Sequence, residues 1–309
     1  MTIARVPAPR ITAAQRGNNT GTAMTLALSV LDQSLARSAD QASAALQETL
    51  QMARWCEQLG YTRFWVSEHH AFSLLSSLYP GRIDLGIGRA PGADMPTATA
   101  LAGGRRPRFE DFPQLSAELA HYLWEEHTQP VVSPRPQEKI PLWMLGSSAD
   151  SAVLAAERGL PYNLGLFINP QADSRLIGHY KKHFRPSALQ AEPYAILALS
   201  VFCADSEERA RLLQLTYDIN LLRFFSGQSD GRSLTPEEVA NYPIGPQEEA
   251  FIASRVPGRA TGTPAQVRAR LEYLAELHQA DEIMAVSNMY YCEDRKRCFE
   301  LLRDSFAND

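Results

Sequence analysis

No stretch of these 309 residues approaches the roughly 18 uninterrupted apolar residues that a membrane-crossing helix needs, so a soluble, cytoplasmic protein without a membrane partner is expected. Cysteine is scarce. Cys56, Cys203, Cys292 and Cys298 are its four members, none in CxxC spacing, which excludes a disulfide framework and suits free thiols. Positive charge is short as well: 30 Lys and Arg against 35 Asp and Glu leave a net charge of -5, so no basic field exists to hold nucleic acid. Residues 1–23 contain Arg5, Arg10 and Arg16 but lack the apolar core of a secretory signal. They are expected to be a disordered leader upstream of a second start at Met24.

What is present is alternation. Apolar runs predict seven strands, at 24–31, 62–68, 82–88, 141–146, 161–167, 194–203 and 281–287. Helical spacing predicts helices at 41–59, 112–126, 149–158, 171–184, 206–225, 264–278 and 293–306 between or after them. Gly60 and Gly159 stand where helix ends want a left-handed residue, and Thr263-Pro264 reads as N-cap and first helical position. Strands alternating with helices imply parallel pairing with right-handed crossovers. Residues 24–309 therefore read as one α/β barrel domain, with a Gly- and Pro-rich excursion at 226–260. Phe64, Trp65, Phe224 and Phe225 are expected in its core.

In such a barrel, chemistry gathers at the C-terminal ends of the strands. Three ends carry polar groups. Strand 62–68 runs into Glu68-His69-His70, strand 82–88 into Arg89, and strand 141–146 into Gly146-Ser147-Ser148. Gly-Ser-Ser at the start of a helix suits an anion, because the first helical N–H groups lack partners; it equally suits a plain serine N-cap. Arg89 at another strand end would add a planar fork to the same anion. One imidazole of His69 or His70 could serve acid–base chemistry with Glu68 fixing its tautomer, or could be a core histidine. Two adjacent strand residues face opposite ways, which disfavours a metal site.

Together, LSVLDQS (28–34), LGYTRFWVSEHH (59–70), LYPGRIDLGIGRAPG (78–92), PLWMLGSSADSAVLAAERGLP (141–161), HFRPS (183–187), EPYAILALSVFCADSEERA (192–210) and TGTPAQVRARLEYL (261–274) resemble the bacterial-luciferase-like, flavin-dependent monooxygenases. The resemblance covers nearly all of residues 24–302. It implies a (β/α)8 TIM barrel that uses reduced FMN (FMNH2) and O2 to oxidise a small organic substrate. A separate NAD(P)H:flavin reductase and a homodimer are further implications; F420 on the same barrel is the lesser alternative to FMN, and flavin binding without turnover is another. By motif, His69 corresponds to the active-site histidine, with Glu68 and His70 beside it. Arg89, Ser147, Ser148 and Ser151 correspond to the phosphate site, where Gly146 opens the loop.

The sequence departs from the family between His70 and Leu78. AFSLLSS (71–77) stands where relatives have a helix, the third barrel strand and most of the next helix. A barrel apparently lacking its third strand-helix unit is the expectation. Either the unit has been lost, or the chain carries residues there beyond those in the sequence; the well-kept flanking motifs favour the second.

Overall fold

In the computed structural model the described residues are 2–7, 26–38, 41–68, 79, 81–89, 99–100, 103–106, 108–125, 139–188, 190–228 and 231–307. In chain order the elements are β1 (Thr2–Pro7), β2 (Ala27–Asp32), α1 (Ala42–Gln58), β3 (Arg63–Glu68), β4 (Leu85–Gly88), α2 (Phe112–Trp124), β5 (Leu142–Gly146), α3 (Ala149–Arg158) and β6 (Tyr162–Gly165). There follow α4 (Leu176–His183), β7 (Ala195–Cys203), α5 (Glu207–Phe225), α6 (Pro236–Val239), α7 (Pro246–Arg255), β8 (Arg259–Gly262), α8 (Pro264–His278), β9 (Glu282–Val286) and α9 (Cys292–Phe306). All seven expected strands are present. None of the described helices is long and apolar enough to cross a membrane.

The chain divides into two compact units. The first comprises residues 1–6, 66–164 and 175–195. Its β4 pairs in parallel with β5, from Leu85 opposite Leu142 to Gly88 opposite Leu145, and β5 pairs in parallel with β6. The other edge of β4 holds a departure from expectation. Within the leader expected to be disordered, Thr2–Pro7 is a strand, antiparallel to β4 with Ile3 opposite Gly86. An unpaired edge leaves a row of backbone donors and acceptors without partners, and a short segment with three β-branched residues, Thr2, Ile3 and Val6, can satisfy them.

The second unit comprises residues 7–65, 165–174 and 196–309. Here β2 pairs with β9, β9 with β7 and β7 with β8, all parallel. Every residue of β7 and β9 is buried, as expected for apolar strands covered on both faces. At the N-terminal ends of β2 and β9, the buried Glu282 carboxylate takes hydrogen bonds from Ser29 and Arg63. Strand β8 was not expected, since Arg-Ala-Thr-Gly carries no apolar run. A buried ion pair explains it: Arg259 Nη1 donates to Asp218 Oδ2 of α5 at 2.5 Å, with both side chains almost wholly buried. Asp218 also accepts from Gln214 (3.1 Å), and burial pushes its carboxyl above the usual range against the pull of Arg259.

The excursion at 226–260 proves partly helical, holding α6 and α7 before β8 begins at Arg259. Thr235 caps α6 and its amide donates to Glu238 (2.9 Å). Phe64 and Trp65 are buried as expected, whereas Phe224 and Phe225, at 59% and 67% exposure, are outside the core. They fall in the last turn of α5.

Helix ends follow the sequence closely. Thr263 N–H donates to Gln266 Oε1 (2.9 Å) at the start of α8, and Gly159 adopts φ 59° at the end of α3. A Cβ on Gly159 would lie 2.4 Å from the Arg185 carbonyl, so no other residue fits there. His278, the last residue of α8, is buried, and its Nδ1 has no hydrogen-bond partner among the described residues. Burial, reinforced by Arg270, lowers its pKa from the ordinary 6.5. The folded imidazole thus stays neutral while the unfolded chain gains a proton near 6.5, so its contribution is complete above that value and is lost as pH falls towards the lowered folded pKa. Unfolding free energy should fall by at most about 1.4 kcal/mol per pH unit through this window from this group. His278→Leu should flatten that part of the profile in urea titrations; an unchanged slope would count against it.

Candidate functional site

The parallel register of β4 and β5 brings two chain ends to one level. Gly88 lies opposite Leu145, so Arg89 follows β4 where Gly146 closes β5. The two strands approach closely because β4 is glycine-rich: a Cβ on Gly86 would meet the Leu145 side chain at 3.0 Å. Past Gly146, Ser148 has extended backbone (φ −138°, ψ 166°) and is the N-cap of α3. Ser147 lies between them, partly buried.

The Arg89 side chain reaches the first turn of this helix. Its Nη1 is 3.4 Å from Asp150 Oδ2, with the two side chains 45% and 79% exposed. A cation at the end of one strand and the N-terminus of a 10-residue helix at the end of the next therefore converge, as the sequence led one to expect. The first amides of α3 have no carbonyl of their own helix to bind, and the helix dipole favours negative charge there. Asp150 meets that preference from within the chain.

Ser151 faces inward. Its hydroxyl donates to the Ser148 carbonyl (2.7 Å), accepts from the Ser148 amide (3.4 Å), and lies 3.1 Å from the Tyr162 hydroxyl. Since its one hydrogen goes to Ser148, Tyr162 must be the donor in that last bond. Tyr162 is fully buried, and burial pushes its phenol up to about 12 against a downward pull from Ser151, so it stays protonated. Ser151 thus braces the loop. Gly146 is required for this brace, because a Cβ there would sit 2.1 Å from Ser151 Oγ.

Sequence reasoning missed Tyr162 and Asp150. Tyr162 gave no signal, as an aromatic at the start of a strand reads as core. Asp150 was visible as an acid in a first helical turn, but its pairing with Arg89 depends on strand register. Of the expected acid–base trio, Glu68 ends β3 by its backbone, while its side chain and both His69 and His70 lie outside the described residues.

Arg89 and the Gly-Ser-Ser helix start thus stand side by side at the ends of two parallel strands of an α/β sheet. The profile of the luciferase-like monooxygenases matches residues 71–280. The chain belongs to that family, and is an enzyme of the oxygenase class. It is similar to YwcH of Bacillus subtilis, an uncharacterized protein, at 34% identity over 333 positions covering 92% of this chain and 100% of YwcH. A luciferase-like monooxygenase of Escherichia coli is 30% identical, with 91% of this chain and 97% of that protein covered. Among solved structures, apo-MsnO8 matches with a TM-score of 0.81 and 30% identity, over 91% of this chain and 98% of its own. The YwcH alignment runs over 333 positions although this chain has 309 residues, so the relative carries residues with no counterpart here.

Proposed function

We propose that the protein is an FMN-dependent monooxygenase of the two-component kind. It receives reduced flavin from a separate NAD(P)H:flavin reductase and oxidises a small organic substrate with O2. The observation that carries this reading is the convergence of Arg89 on the first turn of α3, which matches the needs of a terminal phosphate. In a fold relative of 16% identity and TM-score 0.62, the oxygenating constituent of 3,6-diketocamphane monooxygenase from Pseudomonas putida, FMN is bound.

The residues fit the phosphate end of FMN. Arg89 and the amides following Ser148 would hold it, Ser147 and Ser148 would add hydroxyl donors, and Gly146, Ser151 and Tyr162 would keep the loop in shape. Bound reduced FMN supplies the two electrons with which one oxygen atom enters the substrate and the other leaves as water. His69, with Glu68 and His70 beside it, would hold or move the proton that this exchange requires. The wider frame proposed is a single luciferase-like barrel domain in the cytoplasm, acting as a homodimer, whose third strand-helix unit has no counterpart in the sequence between His70 and Leu78.

Two other readings have specific support. An F420-dependent secondary alcohol dehydrogenase shares the fold at 12% identity with a TM-score of 0.62, which keeps F420 in view. The excess of the YwcH alignment over this chain's length fits a lost barrel unit, the condition under which flavin binding without turnover would hold. One experiment separates the three. Protein loaded with FMNH2, or with reduced F420, is mixed with candidate substrates under heavy-isotope O2. Label in the product with FMNH2 alone is expected; tight flavin binding without label would leave a carrier, and turnover with F420 alone would replace the cofactor.

A further inference from the structure

The second unit contains a cavity of about 390 Å³ that the anion site does not use. Its floor is the loops after β2 and β9, so it opens where these parallel strands end. One face of α5 forms a wall, through Thr216, Tyr217, Asn220, Leu221 and Phe224. The segment around Ser233 closes another side and is tied down: Ser233 N–H donates to the Arg37 carbonyl (3.2 Å), while Asn220 both accepts from Leu234 N–H (2.7 Å) and donates to its carbonyl (2.9 Å). The cavity is preformed and falls in the size range of small-molecule pockets.

Charge at this cavity is already balanced. Arg37 forms a bidentate pair with Glu48 (2.8 and 2.7 Å) and gives its Nε–H to the Tyr290 carbonyl (2.6 Å). Arg295 binds the same Glu48 and lies 3.4 Å from Asp32 Oδ2. Two guanidinium groups thus face two carboxylates. An entering carboxylate would shed its hydration for a site with no spare positive charge, which is costly. Neutral hydrogen-bonding groups remain available. Asn288 Nδ2 donates to Gln33 Oε1 (2.7 Å) and its side chain is also hydrogen-bonded to Tyr217, which fixes the Gln33 amide and leaves its nitrogen as a donor. Leu35, Leu221 and Met289 give apolar lining.

We infer that this cavity is a binding site for an uncharged organic molecule with an apolar body and one amide- or carbonyl-type head, and that it discriminates against carboxylates of the same shape. That this molecule is the one oxidised rests on the monooxygenase reading; that it binds does not.

The test uses the full-length protein without flavin, with its methionine methyl groups isotopically labelled and Met289 assigned through Met289→Leu. Octanamide and octanoate, alike in shape and different in charge, are titrated near neutral pH. Octanamide should shift the Met289 methyl resonance and bind about tenfold or more tightly than octanoate. Glu48→Gln, which frees positive charge, should reverse the order. Equal or tighter octanoate binding to the unaltered protein, or an octanamide site that leaves Met289 unmoved, overturns the inference. If Glu48→Gln does not fold, Leu221→Trp takes its place: filling the cavity from α5 should weaken octanamide at least about tenfold, and unchanged affinity is equally fatal. Octanamide binding together with failed oxygen incorporation would remove the monooxygenase reading alone.

Discussion

Replacing Arg89 with alanine should weaken FMN binding by about 10- to 100-fold while leaving riboflavin binding nearly unchanged. A hydrogen bond to a charged group is worth about 1.5–3 kcal/mol, and riboflavin lacks the phosphate that would receive it. Arg89 is free to change partners. Its bond to Asp150 is long, at 3.4 Å, and solvent-exposed, and such surface pairs contribute about 0–1 kcal/mol, so a doubly charged phosphate backed by helix amides would displace the carboxylate. Asp150→Asn should accordingly act in the opposite direction, tightening FMN by a few-fold, most visibly at low salt. Arg89→Lys should fall between, since a point charge keeps attraction and loses the fork. Flavin titrations with the FMN and riboflavin pair decide the matter. Equal loss of both ligands in Arg89→Ala would mean general damage, and no loss of FMN would place the phosphate elsewhere.

Asp218→Ala should cost about 3–5 kcal/mol of unfolding free energy, the range for removing one partner of a buried ion pair. The loss arises because Arg259, 6% exposed, would remain charged in the interior with the Ile252 carbonyl (3.1 Å) as its remaining side-chain partner among the described residues. Against a usual total of about 5–15 kcal/mol that is a large fraction. A urea midpoint shift at constant slope would measure it. Asp218→Asn keeps the shape and an acceptor for Arg259, and should cost less. A loss below about 1 kcal/mol for Asp218→Ala would show that water or another carbonyl already serves the guanidinium.

These two sites differ in how far the sequence discloses them. The convergence of Arg89 and Ser148 could be read in advance, because parallel strands in register end together and their next residues become neighbours. So could the helix limits at Gly159 and Thr263, where backbone geometry restricts the residue type. The partnership of Asp218 and Arg259 could not. It joins residues 41 positions apart, and β8, which carries Arg259, is neither alternating nor apolar. Burial of a charge inverts the rule by which strands are found. Ser151 was placed at the phosphate site by motif alone; its contact with Tyr162, brought there by the register of β6 on β5, carried no signal in the sequence. Phe224 and Phe225 show the converse error, hydrophobicity taken as burial in the last turn of a helix.

The antiparallel seat of β1 on β4 gives the opening residues of the polypeptide a task quite apart from catalysis. A shorter translation product beginning at Met24 would leave β4 bare on that side, directly beneath Arg89, and a bare strand recruits whatever extended peptide is at hand. Thr2–Pro7 therefore acts as a cover for the sheet, and its removal should show as concentration-dependent association of the protein.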